Sequence, residues 1–190
     1  MVEGNARPSQ RWQTFVRNHA QAIVACDFCV VVTATFRLLY VFVVMEHATR
    51  RLLHCNVTAH PTASWTMQQL REVLPVDHTY RFLLHDRDSI FSHQLDQRRR
   101  HLGLRILKTP PQSPQANALC ERLIGTLRQE CLDFLISLTE NHLRRLLQAW
   151  VLHYNAGRPH VALGPGLPQP PYHCQLHCQL TGIGCHHMWG

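Results

Sequence analysis

Residues 113–130 of this chain read SPQANALCERLIGTLRQE, a pattern typical of one amphipathic helix. Ser113 is a favourable N-cap residue, and Pro114 suits the first turn, where a missing backbone N–H costs nothing. Small or apolar side chains then recur at helical spacing and predict a buried stripe: Ala116, Cys120, Leu123, Leu127 and Cys131. Glu121 lies about 100° round the helix from Cys120, at the edge of this stripe. We therefore expect its carboxylate to be held rigidly and to be only partly solvated.

The segments around this helix predict a mixed α/β fold. Strand character occurs in five segments: 22–32, 37–45, 51–57, 81–84 and 104–107. Short links between the first three of them favour an antiparallel meander. Helices are predicted in three further places: at 62–74, at 90–102 and after Thr139, which is a favourable N-cap. This order indicates a mixed sheet with helices on its faces.

A chain of 190 residues is long enough for one domain with a full hydrophobic core. Residues 1–20 are polar and predict a lead-in, with a short helix around 13–19. We expect the folded core to span residues 21–160, followed by an irregular tail, rich in proline and glycine at its start, at 161–190. Six side chains of that tail could hold zinc, although their spacing matches no common zinc site: His173, Cys174, His177, Cys178, Cys185 and His186. The alternative is a frayed or frame-altered end.

The charge balance points towards nucleic acid. The chain has 19 basic and 12 acidic residues, and its formal net charge is +7. Lys108 is its single lysine, so the other basic residues are arginines, whose rigid fork of donors suits phosphate. A codon bias towards arginine is the alternative explanation.

Cysteine placement and hydropathy bear on the compartment. Five of the eight cysteines lie inside apolar segments, where a free thiol behaves as a small hydrophobic group. Cys26 and Cys29 have the CxxC spacing, but an odd offset on a strand directs them to opposite faces. The longest apolar run, at 38–45, is too short to span a bilayer, and the first twenty residues lack a signal-peptide core. These features predict a reduced intracellular protein without a membrane role.

Three acidic residues stand out by position. Asp27 interrupts an apolar strand, where an unpaired carboxylate would cost several kcal/mol, so it must be paired, neutral or bound to a cation. Asp86 lies just after the fourth strand, at a sheet edge where α/β proteins commonly place their chemistry. Asp88 or Ser89 is better placed to cap the next helix. Each of the three also has a purely structural explanation. Asp27 would be a hydrogen-bonded core aspartate, Asp86 a turn residue and Glu121 a solvated helix residue.

Taken together, the three carboxylates fit one kind of chemistry. Carboxylates that converge repel one another unless cations neutralise them. Hard oxygen ligands favour Mg²⁺ or Mn²⁺, which take substrate phosphate oxygens as further ligands. A pair of such ions can activate the attacking oxygen and stabilise the leaving oxygen at a phosphodiester. A basic protein with an acidic metal pocket suits this work.

Four segments resemble the catalytic core of the retroviral-integrase and insertion-sequence transposase superfamily, and most closely its bacterial integrase-core transposases. They are CDF (26–28), HDRDSIF (85–91), SPQANALCERLIGTLRQECLD (113–133) and YNAGRPHVAL (154–163). The resemblance assigns the family's acidic triad, which binds two divalent ions, to Asp27, Asp86 and Glu121. Between Asp86 and Glu121 lie 34 residues, close to the family's usual spacing. The resemblance also implies a ribonuclease H-like fold. This fold is a five-stranded mixed sheet, with its first three strands antiparallel, flanked by helices.

The resemblance further implies metal-dependent DNA cleavage and strand transfer by a homo-oligomer bound to DNA. It also implies a location in the bacterial cytoplasm, in association with the nucleoid. Asn117 would border the active site and bind DNA there, and three basic residues could reach DNA phosphates: Lys108, Arg122 and Arg128. A solvated surface charge is the alternative for each basic residue. Two other functions stay open, a ribonuclease H-like nuclease that does not join strands, and a truncated inactive element that only binds DNA or a full-length partner.

Overall fold

The computed structural model describes residues 8–75, 77–85, 103–108, 117–134 and 138–157. Five strands form one sheet: β1 (Ile23–Val32), β2 (Leu38–Glu46), β3 (Leu52–Thr58), β4 (Phe82–His85) and β5 (Arg105–Lys108). Their order across the sheet is β3-β2-β1-β4-β5. The first three strands pair antiparallel, whereas β4 runs parallel to both β1 and β5. This is the predicted mixed sheet, and each predicted strand lies within a residue or two of its observed position.

Within the described ranges, four α-helices accompany the sheet: α1 (Pro8–Asn18), α2 (Ala63–Val73), α3 (Ala118–Leu127) and α4 (Glu140–Gly157). The chain after α3 continues as a π-helical turn, Arg128–Leu132, closed by a hydrogen bond from the Asp133 N–H to the Arg128 carbonyl oxygen at 2.9 Å. Thr139 caps α4 as expected, since its hydroxyl oxygen accepts from the His142 N–H at 3.2 Å. None of the described helices is both long and apolar enough to cross a lipid bilayer.

The sheet separates two hydrophobic clusters because side chains alternate between its faces. On one face, Cys26 and Phe28 of β1 pack with residues of α2. On the other, Ala25 and Cys29 pack with residues of α1, α3 and α4. Cys26 and Cys29 therefore lie on opposite faces, as the odd spacing predicted. The five cysteines within the described ranges are reduced thiols and form no disulfide with one another.

Two predicted boundaries differ in the structure. Helix α1 begins at Pro8 rather than near residue 13, and its Val16 is part of the buried core, so the lead-in packs on the sheet. Helix α3 begins at Ala118, with Asn117 as its N-cap, and not at Ser113. Asn117 has a non-helical backbone, with φ −113° and ψ 25°, so the first helical residue is Ala118. Ser113 and the predicted helix at 90–102 lie outside the described residues.

A chain of polar contacts passes round the edge strand β3 and links helices on opposite faces. Arg144 of α4 donates from Nε to Asn56 Oδ1 at 3.0 Å and from a terminal nitrogen to the Val57 carbonyl oxygen at 3.1 Å. The Asn56 amide nitrogen donates to Gln69 Oε1 of α2, which also contacts His54 Nε2 at 2.8 Å. Because these groups cover part of an edge strand, they also limit its pairing with other chains.

Candidate active site

Asp27 occupies the middle of the central strand, on the same face as Ala25 and Cys29. It is half-buried and lies opposite Val43 of β2. Its Oδ1 accepts a hydrogen bond from the Phe28 N–H at 2.8 Å, which orients the carboxylate. Asp27 therefore interrupts the apolar face that packs under α1, α3 and α4, rather than the face under α2.

The helix that carries Glu121 packs directly on the strand that carries Asp27. Cys120, Leu123 and Leu127 are all buried, and they share one cluster with Ala25 and Cys29. This confirms the predicted stripe, apart from Ala116, which is not among the described residues. The stripe forces α3 onto the face of the sheet where Asp27 lies.

Glu121 lies on the outer side of this helix, and Arg128 directly follows its end. Glu121 is exposed, and therefore more solvated than its place beside the stripe suggested. Its N–H donates to the Asn117 carbonyl oxygen at 3.1 Å, within the first turn of α3. At the other end, Arg128 donates to the Val30 carbonyl oxygen of β1 at 3.2 Å, so the end of α3 is fastened near the end of the strand.

The Cys29 thiol lies within electrostatic range of both Asp27 and Arg128. Burial raises the pKa of Cys29 to about 11, while Arg128 opposes this rise and Asp27 adds to it. A raised pKa keeps the thiol protonated at neutral pH, so Cys29 is a packing residue and not a nucleophile. Asp27 and Arg128, the residue that follows α3, thus both lie near the Cys29 thiol.

The third predicted acid, Asp86, lies outside the described residues. Strand β4 ends at His85, which is buried. It runs parallel to β1, with Leu84 paired to Ala25. In sequence, Asp86 and Asp27 each come two residues after these paired positions.

The other predicted site residues differ in their surroundings. Asn117 is only 1% exposed, and neither side-chain amide atom has a hydrogen-bond partner within the described part of the chain. Arg122 is exposed, and so is Arg128. Lys108 is the last residue of β5. These placements do not test contact with DNA, which stays a prediction for all four residues.

No group of three or more histidine, cysteine or acidic side chains converges within the described ranges. Asp27 and Glu121 are the two members of the predicted triad that those ranges include. The six histidines and cysteines of the tail that could hold zinc lie beyond those ranges. Two carboxylates on packed elements are hard oxygen donors and fit a magnesium-type ion in chemistry.

Sequence reasoning missed a basic group in the turn between β2 and β3. Arg50 lies within electrostatic range of Arg122, although 71 residues separate their positions in the chain. Burial lowers the pKa of Arg50, Arg122 lowers it further, and Tyr154 opposes the change. No local pattern indicates this approach, because it depends on how the turn meets α3.

Residues 102–168 match the family model described as integrase core domain. No curated protein has a significantly similar sequence. Among solved structures, the fold is similar to that of the catalytic core domain of BIV integrase, with 16% identity and a TM-score of 0.58, over 78% of this chain and 91% of that one. It is also similar to the HTLV-2 integrase catalytic core domain in complex with magnesium, in a dimeric form: 10% identity, TM-score 0.60, coverage 78% and 94%.

A third similar structure belongs to a larger assembly, the intasome of simian T-cell lymphotropic virus in complex with the PP2A regulatory subunit B56 gamma. The identity is 14% and the TM-score 0.62. The alignment covers 74% of this chain but only half of the viral chain. The mixed five-stranded sheet with its flanking helices is the ribonuclease H-like fold of these cores. The chain is thus similar to integrase cores in two ways, through the match of residues 102–168 to the integrase core domain and through its fold.

Proposed function

We propose that this chain is the catalytic core of a transposase or integrase that cuts DNA strands and joins them, with divalent metal ions as cofactors. The observation that carries the proposal is the packing of the Glu121 helix on the Asp27 strand. Cys120 precedes Glu121 and Cys29 follows Asp27 by two residues, and both cysteines belong to one buried cluster. Two acids far apart in sequence are thus carried by elements in direct contact.

The pairing of β1 with β4 supports Asp86 as the third acid. Parallel strands in register advance together, and Leu84 is paired with Ala25. Both aspartates follow these paired residues at the same interval. This supports a triad drawn from two neighbouring strands and one helix.

Asp27, Asp86 and Glu121 would hold two Mg²⁺ or Mn²⁺ ions, which when bound neutralise charge and activate the attacking oxygen at a phosphodiester. The protein itself supplies the positioning of the ligands. The Phe28 N–H orients the Asp27 carboxylate, and packing of α3 sets the position of Glu121 along β1. Positioning and charge stabilisation are the main contributions expected of such a site.

DNA is the substrate that best fits this arrangement. Arg122 and Arg128 flank the exposed side of α3, and phosphate groups are the natural ligands of arginine. One structurally similar integrase core is described in dimeric and trimeric forms, and another within an intasome. By analogy, we propose that this chain acts as a homo-oligomer on DNA ends and target DNA, in the cytoplasm of a bacterium.

Metal-dependent nicking of supercoiled plasmid DNA tests the proposal. The wild-type chain should nick with Mg²⁺ or Mn²⁺ and not with EDTA, and Glu121→Gln should abolish nicking. Glu72→Gln is a matched control, because Glu72 is an exposed residue of α2, on the other side of the sheet. Equal nicking by wild type and Glu121→Gln would exclude Glu121 from catalysis.

A strand-transfer assay separates this function from the two alternatives. A labelled DNA end should become joined to target DNA if the chain is a transposase or integrase core. Cut product without joined product would indicate a ribonuclease H-like nuclease. DNA binding without either product would indicate an inactive element that binds DNA or a partner.

A further inference from the structure

A cavity of about 320 Å³ lies between α1, the turn after β2 and the first turn of α3. Its polar wall includes Arg17, His47 and Arg50, and Trp12 contributes an aromatic surface. None of the described residues that line it is acidic. A concave site with convergent cationic groups and one aromatic wall is a site for an anion.

The guanidinium groups of the cavity are available for a ligand. Within the described part of the chain, neither Arg17 nor Arg50 has a side-chain hydrogen bond or ion pair. The nearest carboxylate in sequence is Glu46, which accepts hydrogen bonds from Thr49 and, at 2.9 Å, from the Tyr80 hydroxyl. Glu46 pairs with Val24, on the face of the sheet opposite to the cavity. Among the described residues, no carboxylate therefore neutralises the charge of Arg17 or Arg50.

Two further features favour an anion. His47 Nδ1 is buried and has no hydrogen-bond partner among the described residues. Burial and Arg50 lower the pKa of His47 to about 4, so at neutral pH the ring is uncharged and can still donate one N–H. Ala118 and Leu119 also line the cavity, so the positive end of the α3 dipole adjoins it.

The cavity adjoins the candidate active site. Leu84 lines it and pairs with Ala25, two residues before Asp27 and on the same face. Leu119 lines it and comes two residues before Glu121. Arg122, on the exposed side of α3, lies within electrostatic range of Arg50. A DNA strand that crosses the acidic site and contacts Arg122 would therefore reach the mouth of this cavity.

We propose that the cavity binds a phosphate group of the DNA backbone, held between the guanidinium groups of Arg17 and Arg50. This inference rests on the proposed function, because it takes its ligand from the DNA substrate. The bound phosphate neutralises the repulsion between Arg50 and Arg122, and Trp12 provides an apolar wall for the adjoining sugar or base. The site anchors the strand beside the acidic residues without taking part in the chemical step.

Equilibrium DNA binding in EDTA tests this inference separately from catalysis. Fluorescence anisotropy of a short labelled DNA would be measured with wild type, Arg50→Gln and Arg17→Gln over a range of salt concentrations. Each substitution should weaken binding by roughly tenfold at about 0.1 M salt and lower the salt slope by about 0.9, as expected for one lost phosphate contact. Arg71→Gln, an exposed change on α2, should alter affinity less than about twofold, since that face has no phosphate contact to lose.

Two controls accompany this measurement. Arg50→Lys keeps the charge and should bind DNA more tightly than Arg50→Gln, and equal affinities of these two variants would count against a phosphate contact at residue 50. Thermal melting should show the same transition for all variants. Equal losses in Arg50→Gln and Arg71→Gln would overturn the proposal. The proposal would also be overturned if Arg50→Gln lost binding of inorganic phosphate but kept the DNA affinity of wild type. DNA binding is measured in EDTA and plasmid nicking is measured separately with metal ions. A chain that does not nick DNA can therefore be distinguished from a cavity that does not bind phosphate.

Discussion

Asn155 of α4 forms two hydrogen bonds with the backbone of Leu52, the first residue of β3. Its amide nitrogen donates to the Leu52 carbonyl oxygen at 2.9 Å, and its side-chain oxygen accepts from the Leu52 N–H at 3.0 Å. Both residues are buried. The β2–β3 pairing shifts register at this point, where Met45 pairs with Leu52 after Val44 has paired with His54. Asn155 therefore satisfies backbone groups at an irregular strand start.

Replacement of Asn155 should destabilise the fold without touching the acidic site. Asn155→Ala leaves a buried N–H and a buried carbonyl of Leu52 without partners, which costs about 2–4 kcal/mol. The midpoint of thermal unfolding should fall by about 5–12 °C. Calorimetry or circular dichroism checks this, with His153→Ala as a control on an exposed position of the same helix. A midpoint close to that of the control would contradict the assigned role.

Loss of the Arg144 side chain should loosen the packing of α4 on β3. Arg144→Met removes the bonds to Asn56 and Val57 and the ion pair with Glu140 at 2.6 Å. The side chain is 35% exposed, so screening reduces the effect to about 1–2 kcal/mol of unfolding free energy. Urea denaturation measures it, and Arg145→Met is the matched change at the next, exposed position. Equal stability of the two variants would show that the polar chain round β3 contributes nothing.

Asp27→Asn should abolish metal-dependent nicking while the fold persists. The amide keeps an oxygen that can accept from the Phe28 N–H, but it removes the negative charge that a cation requires. We expect a loss in nicking rate of on the order of 100-fold or more, with the unfolding midpoint preserved. Asp133→Asn, on an exposed residue after α3, is the control. Full activity of Asp27→Asn would remove this residue from the proposed triad.

Stability should decline in mild acid partly through His47. The folded pKa is about 4, against 6.5 for the ordinary value, so the unfolded chain binds this proton first as the pH falls. The stabilisation is complete above pH 6.5 and is lost between about 6.5 and 4. Because His47 is only partly buried, we expect roughly 1–2 kcal/mol over this range. His54, whose pKa is also lowered by burial, adds to the same trend.

Substitution isolates the contribution of His47. His47→Gln should flatten the dependence of unfolding free energy on pH, relative to wild type, between pH 6.5 and 4. Chemical denaturation at several pH values gives both curves. Identical slopes for wild type and His47→Gln would rule out a neutral buried imidazole at this position.

The sequence alone determined the order of elements and the two faces of the central strand. Alternation along residues 22–32 and helical spacing after Asn117 are local periodicities, and each needs only near neighbours to be recognised. Asp27 was conspicuous because a charge inside an apolar strand has a high desolvation cost. Helical spacing of small and apolar side chains likewise predicts the buried stripe from Cys120 to Cys131, and the structure confirms it.

Only the tertiary structure decided which distant groups meet. The approach of Arg50 to Arg122, the double hydrogen bond of Asn155 to Leu52 and the chain from Arg144 to Gln69 all join residues far apart in sequence. Such contacts depend on how the sheet twists and how each helix is seated on it. Side-chain periodicity carries no information about them, because it describes which face of an element is buried but not what lies against it.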